Sequence, residues 1–400
     1  MIMKIQEFVF NIRIGDLLSN IRLEGRNAKL LIYISGTLIL AGAAAALYTL
    51  IAGHGSFAVD NTVPWGVLIA AYAFFVSSVG CCFVGSLESV FRVESYKAVT
   101  TRALFLAILI VVVGMLIIFV ELGMPFRIFI QYLISPNLKS PIWWMGFNYL
   151  VYLVFITLEY YAIENGKERL IKTAGVLAFI AALIAHSTVG SVFGLLQARP
   201  FWYGPYMPID FILHAWILGF SIMLLIASIY KKFNVDKKLT DNMWKLLAVL
   251  LIVNFFFAFW KIITGVYASD PAKSAAALSI VAGPLSVLFW LFEIILGTIL
   301  PVILFLNPRY HTRKWMFVAS AMSILGMLFT KINGVYAGLI VPIEAIDRER
   351  PLYHELSFSF TETIIVLGAI ASVVLVYAYF EKYYFETNNV PLSKSASKTK

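Results

Sequence analysis

Apolar stretches about twenty residues long recur along almost the whole chain, separated by short polar connections, and that rhythm leaves few architectures open. A stretch of that length crosses the hydrocarbon core of a bilayer as a helix. In lipid every backbone polar group must be bonded internally, so a chain of such stretches folds as packed helices. Ten are predicted, at 29–51, 64–86, 103–121, 144–163, 171–194, 207–230, 244–268, 277–306, 315–337 and 358–380. The eighth is long and contains Pro301, which predicts a kink or a tilt. Only 13% of the residues are charged, against about 25% in soluble proteins. The expected fold is therefore an all-α integral membrane protein of about ten transmembrane helices. The net charge of +9 does not signal nucleic acid, because the cations flank apolar stretches.

The cations also orient the chain. Of the 31 Lys and Arg, 23 fall in the N-terminal arm, the even-numbered loops and the C-terminal tail, six fall in the odd-numbered loops, and Lys261 and Lys331 lie inside spans. This asymmetry predicts that both termini are cytoplasmic. Residues 1–28 are too polar for a signal peptide and read as an amphipathic arm on the membrane surface, with Ile2, Ile5, Val9 and Ile12 on one face. Residues 29–382 form the transmembrane domain, and 383–400 a polar cytoplasmic tail. Pro64 and Pro208 open spans two and six, while Gly190/Gly194 and Gly334/Gly338 end spans five and nine, each pair 144 residues apart. This predicts repeat halves at 64–194 and 207–337, two parallel four-helix bundles plus two flanking helices. Coincidence is the competing account, since small-residue pairs are common in membrane helices.

Ionisable residues within spans cost roughly 2.5–3.5 kcal/mol each on insertion scales and call for a reason. Between 186 and 214 the chain reads HSTVGSVFGLLQARPFWYGPYMPIDFILH. His186, Asp210 and His214 lie near the facing ends of two spans, across an aromatic, Pro-rich turn. Lys261 and Lys331 fall at similar depth toward the outer side, and Glu293 near mid-span. Pairing around a polar cavity is the functional expectation. His214 also fits a plain interhelical hydrogen bond, Lys261 a snorkelling cation, and Trp202 and Tyr203 an aromatic belt. Glu159 lies near the cytoplasmic end of span four, and Cys81 and Cys82 read as packing residues.

Candidate chemistries narrow quickly. A haem between helices needs paired histidines, and only His186 and His214 lie within spans, which disfavours it. The sequence has no Cys cluster, zinc motif, phosphate loop or nucleophile–His–acid pattern. A quinone fits better, since it needs an apolar slot, aromatic contacts and a proton acceptor, which a neutral His beside a carboxylate supplies. A proton-coupled secondary transporter is the alternative, and a passive anchor the third reading.

HSTVGSVFG followed by ARPFWYGPYMPIDF, with PWG at span two, FWLFEIILGTILPVILF at span eight and LFTKINGVYAGLIVP at span nine, resembles the polysulfide-reductase membrane-subunit (NrfD-like) family. The likeness runs from about residue 60 to 380 and is strongest to the ten-span branch found in Dsr and Hme sulfur-metabolism complexes and hydrogenase-2. The resemblance implies a quinone-binding subunit with no covalently bound cofactor. It implies a prokaryotic cell-membrane location, menaquinone as exchangeable substrate and a ferredoxin-like iron–sulfur partner at the outer face. Further redox subunits would be heterodisulfide-reductase-like, a cytochrome, a hydrogenase or a molybdopterin enzyme. On this reading His186 is the first proton acceptor, with Asp210 or His214 relaying protons outward. Trp202, Tyr203, Arg199 and Lys331 bind the quinone, and Glu293 and Glu159 start a proton path. Lys331 stands where many relatives have Arg, which keeps the charge and loses the forked bonding.

Overall fold

The computed structural model describes residues 26–385 apart from 231, 232, 234, 344–351 and 356. Most of the predicted arm and residues 386–400 of the tail lie outside the described residues. Among the described residues there is no strand, and ten helices are long and apolar enough to cross a membrane. Spans one to ten run Lys29–Ala52, Val67–Ser89, Glu94–Glu121, Pro141–Glu164, Glu168–Gly194, Tyr206–Ile229, Lys237–Val266, Leu288–Leu306, Arg313–Leu339 and Phe360–Phe385. The chain is an all-α, multi-pass membrane protein.

The ends of these helices follow from local chemistry. Pro141 opens span four, where its missing N–H would have no intrahelical partner. Gly166, at φ +63°, turns the chain between spans four and five. Ser359 caps span ten, its Oγ accepting from Thr361 N at 3.2 Å.

Two spans depart from the predicted single helices. The eighth does not start at 277. A separate helix, Pro271–Val281, precedes it, capped by Asp270, whose Oδ1 accepts from Ala272 N at 2.8 Å. Gly283 and Pro284 then break the chain, a signal that uniform apolarity hides. Span eight itself is a π-helix over Leu288–Ile299 that tightens to an α-helix at Leu300–Leu306, where Pro301 sits in the first turn. Span two is two helices, Val67–Val76 and Val79–Ser89, broken at Ser77 and Ser78.

Spans two to five pack in cyclic order, two on three, three on four, four on five and five on two; spans six to nine do the same. Span six also packs on two and five, span nine on two, and span ten on one and three. The crossings are made by glycine. A Cβ on Gly80 of span two would lie 1.6 Å from Ala215 O, and one on Gly219 of span six 2.3 Å from Gly80 C. Gly297 and Gly326 bring spans eight and nine equally close, a Cβ on either landing 2.5 Å or less from the other's Cα. Backbone contact of this kind is how membrane helices gain packing energy where lipid offers no hydrophobic drive. Span ten is pinned to span three by Arg102, whose Nη2 and Nε reach the buried Glu381 carboxylate at 2.8 and 2.9 Å.

Candidate functional site

Spans six to nine, with Ala73 of span two, Phe193 of span five and Phe201 of the turn that follows it, line a half-open cavity of about 60 Å³, room for several waters. Span six supplies Asp210 and His214 at i and i+4, so both face the same way. Tyr206, one turn earlier, donates to Asp210 Oδ1 at 2.8 Å. Asp210 Oδ1 stands 3.5 Å from His214 Nε2. The same nitrogen lies 2.9 Å from Asn254 Oδ1 of span seven. His214 Nδ1 lies 3.0 Å from Lys331 Nζ of span nine, which also sits 3.4 Å from the centre of the Phe211 ring. Both imidazole nitrogens are therefore engaged. Across the cavity the π-helix presents Glu293, whose Oε2 accepts from Asn333 Nδ2 at 2.7 Å. Lys261 Nζ contacts Met207 Sδ at 3.5 Å and lies over the rings of Phe201 and Tyr206 at 4.7 and 4.8 Å. Phe193, Phe201, Phe211, Phe289 and Ile262 make the apolar wall.

The structure thus brings together Asp210, His214, Lys331, Glu293 and Lys261, and sets the other predicted residues apart. His186 is fully buried behind Phe211, with ring centres 5.5 Å apart, and its Nδ1 meets the Tyr149 hydroxyl at 2.8 Å. Trp202 is buried outside the cavity. It stacks on Trp65, centres 5.4 Å apart, and donates from Nε1 to Gly334 O at 2.6 Å. A Cβ on Gly338 would lie 1.9 Å from its Cε2, so that glycine seats the indole. Tyr203 is 52% exposed and does not line the cavity. The residue of this turn that enters the cavity is Phe201. The turn is held by Gly204, at φ +124°, whose N–H donates to Gly194 O at 2.9 Å.

Arg199 donates to Val341 O and Leu339 O at 3.1 and 3.4 Å, tying the turn to the end of span nine, and partial burial lowers its pKa. It borders a second small cavity with Phe201, Ala276, Gly338 and Pro342. Glu159 is buried among spans two, four and five, accepting from Ser89 Oγ at 2.6 Å. Among the described residues no three His, Cys, Asp or Glu side chains stand together as a metal site.

Several partners go beyond the residues that the sequence singles out. Asn254 has a signal, an amide within LLIVNFFFAFW, where a polar side chain inside a span calls for a partner. Asn333 sits beside Lys331, and Tyr206 one turn before Asp210. Tyr149 carries no signal, since tyrosines are frequent in this chain.

A family profile described as "Polysulphide reductase, NrfD" matches residues 55–343, which takes in spans two to nine. The Hdr-like menaquinol oxidoreductase integral membrane subunit of Archaeoglobus fulgidus is 25% identical over 384 residues, 91% of this chain and 95% of the relative. A selenate reductase subunit of Mesobacillus selenatarsenatis is 23% identical over 369 residues, 80% of this chain and 85% of the relative. A putative dimethyl sulfoxide reductase membrane subunit of Halobacterium salinarum is 24% identical over 343 residues, 75% of each chain.

Proposed function

The chain belongs to the polysulphide-reductase NrfD family, and from that premise we propose that it is the quinone-interacting membrane subunit of a respiratory electron-transfer complex. It exchanges electrons between menaquinol or menaquinone and an iron–sulfur partner subunit, which docks at the face opposite the Lys/Arg-rich loops. That face is the outer one, and both termini are cytoplasmic. The relatives named for menaquinol oxidation, selenate reduction and dimethyl sulfoxide reduction support this class of complex. The repeat halves, 64–194 and 207–337, then each supply one four-helix bundle. The cyclic packing of spans two to five and of six to nine supports that reading.

One observation carries the proposal: one cavity combines aromatic side chains with an Asp–His–Lys string. A quinol head needs flat apolar contact plus groups that accept its hydroxyl protons within lipid. The Lys331 ammonium has only donors, so His214 Nδ1 accepts and the neutral imidazole keeps its proton on Nε2, toward Asn254 Oδ1. In that state His214 cannot take a proton at Nδ1 unless Lys331 moves away or gives one up. Asp210, whose Oδ1 accepts from Tyr206 and stands 3.5 Å from His214 Nε2, is the first proton acceptor, and His214 with Lys331 is the second. Lys331 further stabilises negative charge that builds on the substrate oxygen. Glu293 takes protons at the opposite wall. His186 serves as a proton group behind Phe211. Trp202 and Arg199 hold the Phe201 turn against span nine, and Tyr203 faces the docking side.

The test is menaquinone-analogue binding to the full chain in lipid nanodiscs, followed by quinol-driven reduction of the partner's clusters in the intact complex. Lys331→Met is expected to weaken analogue binding about tenfold, the effect of roughly 1.4 kcal/mol. Asp210→Asn is expected to slow cluster reduction by about 10²-fold or more. Wild-type values for both variants would sink the proposal. The breaks in spans two and eight support a second reading, a proton-coupled secondary transporter, since such proteins bind substrate at discontinuous helices. Solute uptake by the chain alone in proteoliposomes, with no analogue binding, would favour it.

A further inference from the structure

The loop between spans three and four departs from the charge pattern that orients the rest of the chain. Residues 122–140 carry Arg127 and Lys139 and no Asp or Glu, although they lie on the face opposite the Lys/Arg-rich loops. Both cations are exposed. The loop is also apolar. It forms a short helical segment, Arg127–Phe129 continued by a π-turn at Ile130–Ile134. Phe126, Ile130 and Ile134 recur every four residues, and Phe126 and Ile134 are 72% and 78% exposed. Large apolar side chains this open are unfavourable in water, so an apolar medium or partner covers them.

The segment lies against the flanks of the two spans that it joins. The Phe126 ring meets Phe119, near the end of span three, edge-on with centres 6.0 Å apart. Tyr132 stacks on Trp143, centres 6.0 Å apart, and its hydroxyl donates to Ile142 O at 3.0 Å. A Cβ on Gly146 would lie 2.9 Å from Tyr132 Cε1, so that glycine seats the ring. Gly146 stands five residues inside span four, which places the tyrosine about 7 Å down from the start of the helix. Trp144 Nε1 donates to Leu138 O at 2.9 Å and fastens the far end of the loop. The exposed apolar stripe of span four, Phe147, Leu150, Val154 and Leu158, runs up through Trp144 and Ile142 to this segment. In a membrane helix such a stripe faces lipid, and paired tryptophans mark the level of the headgroups. The loop therefore continues a lipid-facing surface.

We propose that this loop is an interfacial segment that binds anionic phospholipid in the leaflet opposite the Lys/Arg-rich face. Phe126, Ile130 and Ile134 enter the upper acyl region, at the depth of about 5–10 Å that interfacial helices reach. Arg127 and Lys139 meet the headgroups. Phosphate is common to all phospholipids, so the preference for net negative charge comes from two cations with no acid in the loop to offset them. Two such cations give a preference of about tenfold or more over a zwitterionic lipid. The inference does not rest on the quinol reading.

The test places a fluorescent thiol label at Ile134→Cys in the full chain in phosphatidylcholine nanodiscs. Cys81 and Cys82 are fully buried, so the label goes to the new thiol. Strong quenching by a nitroxide near the top of the acyl chain, and weak quenching by iodide in the water, are the expected results. Doping the discs with spin-labelled phosphatidylglycerol is expected to quench at about a tenfold lower mole fraction than spin-labelled phosphatidylcholine. Arg127→Gln with Lys139→Gln is expected to make the two lipids equal while the label stays inserted. Strong iodide quenching overturns the insertion, and its disappearance in the whole complex would give this face to a partner subunit. Equal quenching by the two lipids in the chain with both cations overturns the anionic preference. A preference that survives the double substitution overturns the role of Arg127 and Lys139.

Discussion

His214 shows how closely one side chain can be specified by its neighbours. Lys331 holds one ring nitrogen and Asn254 the other, with Asp210 on the same helix. Asn254→Leu removes the acceptor and leaves a buried N–H without a partner, at a cost of about 1–3 kcal/mol. The expected result is a lower melting temperature of the purified chain, with folded yield retained. Asn254→Asp should recover most of it by keeping an oxygen at that site. The Asp210–His214 pairing is legible in the sequence, because i and i+4 share a helix face. Lys331 as partner is not, since 117 residues separate it from His214. His186 draws the same attention as His214 in the sequence, yet it bonds Tyr149 behind Phe211. No local pattern distinguishes a histidine that meets a tyrosine of span four from one that meets a lysine of span nine.

The two glycines that end span nine separate sequence from structure at the level of an element. Gly334 and Gly338 read as one small-residue motif, but a Cβ on Gly334 meets nothing within 4 Å and one on Gly338 runs into Trp202. Gly334→Ala is expected to leave thermal stability nearly unchanged. Gly338→Ala is expected to lose about 1–3 kcal/mol through overpacking and displacement of the indole. Equal melting temperatures would show that Trp202 does not depend on that seat. The same logic governs span eight. Its apolar composition predicts a single helix from 277, and Gly283, Pro284 and the π-helix divide it differently. The extra residue per turn aims Glu293 at the cavity, and such bulges are frequent at functional positions.

At the scale of the whole molecule, the proposed topology crosses the membrane an even number of times and so returns the chain to the side on which it began. Reporter fusions at residues 1 and 400 are expected to report the same compartment, and fusions in the loop between spans five and six the opposite one. Span ten closes the assembly through Arg102 and Glu381, whose carboxylate is buried. Arg102→Leu leaves that carboxylate unpaired, and breaking a buried pair costs about 3–5 kcal/mol. Loss of span ten from the fold, read as new protease cleavage before residue 360, is the expected outcome. The sequence by itself determined the number of spans, their rough limits and the side on which cations gather. Those properties are sums over neighbouring residues, which lipid and water read directly. Which ionisable groups meet was decided only by the tertiary structure. Glycine contacts such as Gly80 with Gly219 and Gly297 with Gly326 set how each helix is rotated and tilted. A rotation of one residue's arc would carry His214 away from Lys331, or Glu159 away from Ser89, with no change in hydropathy at all.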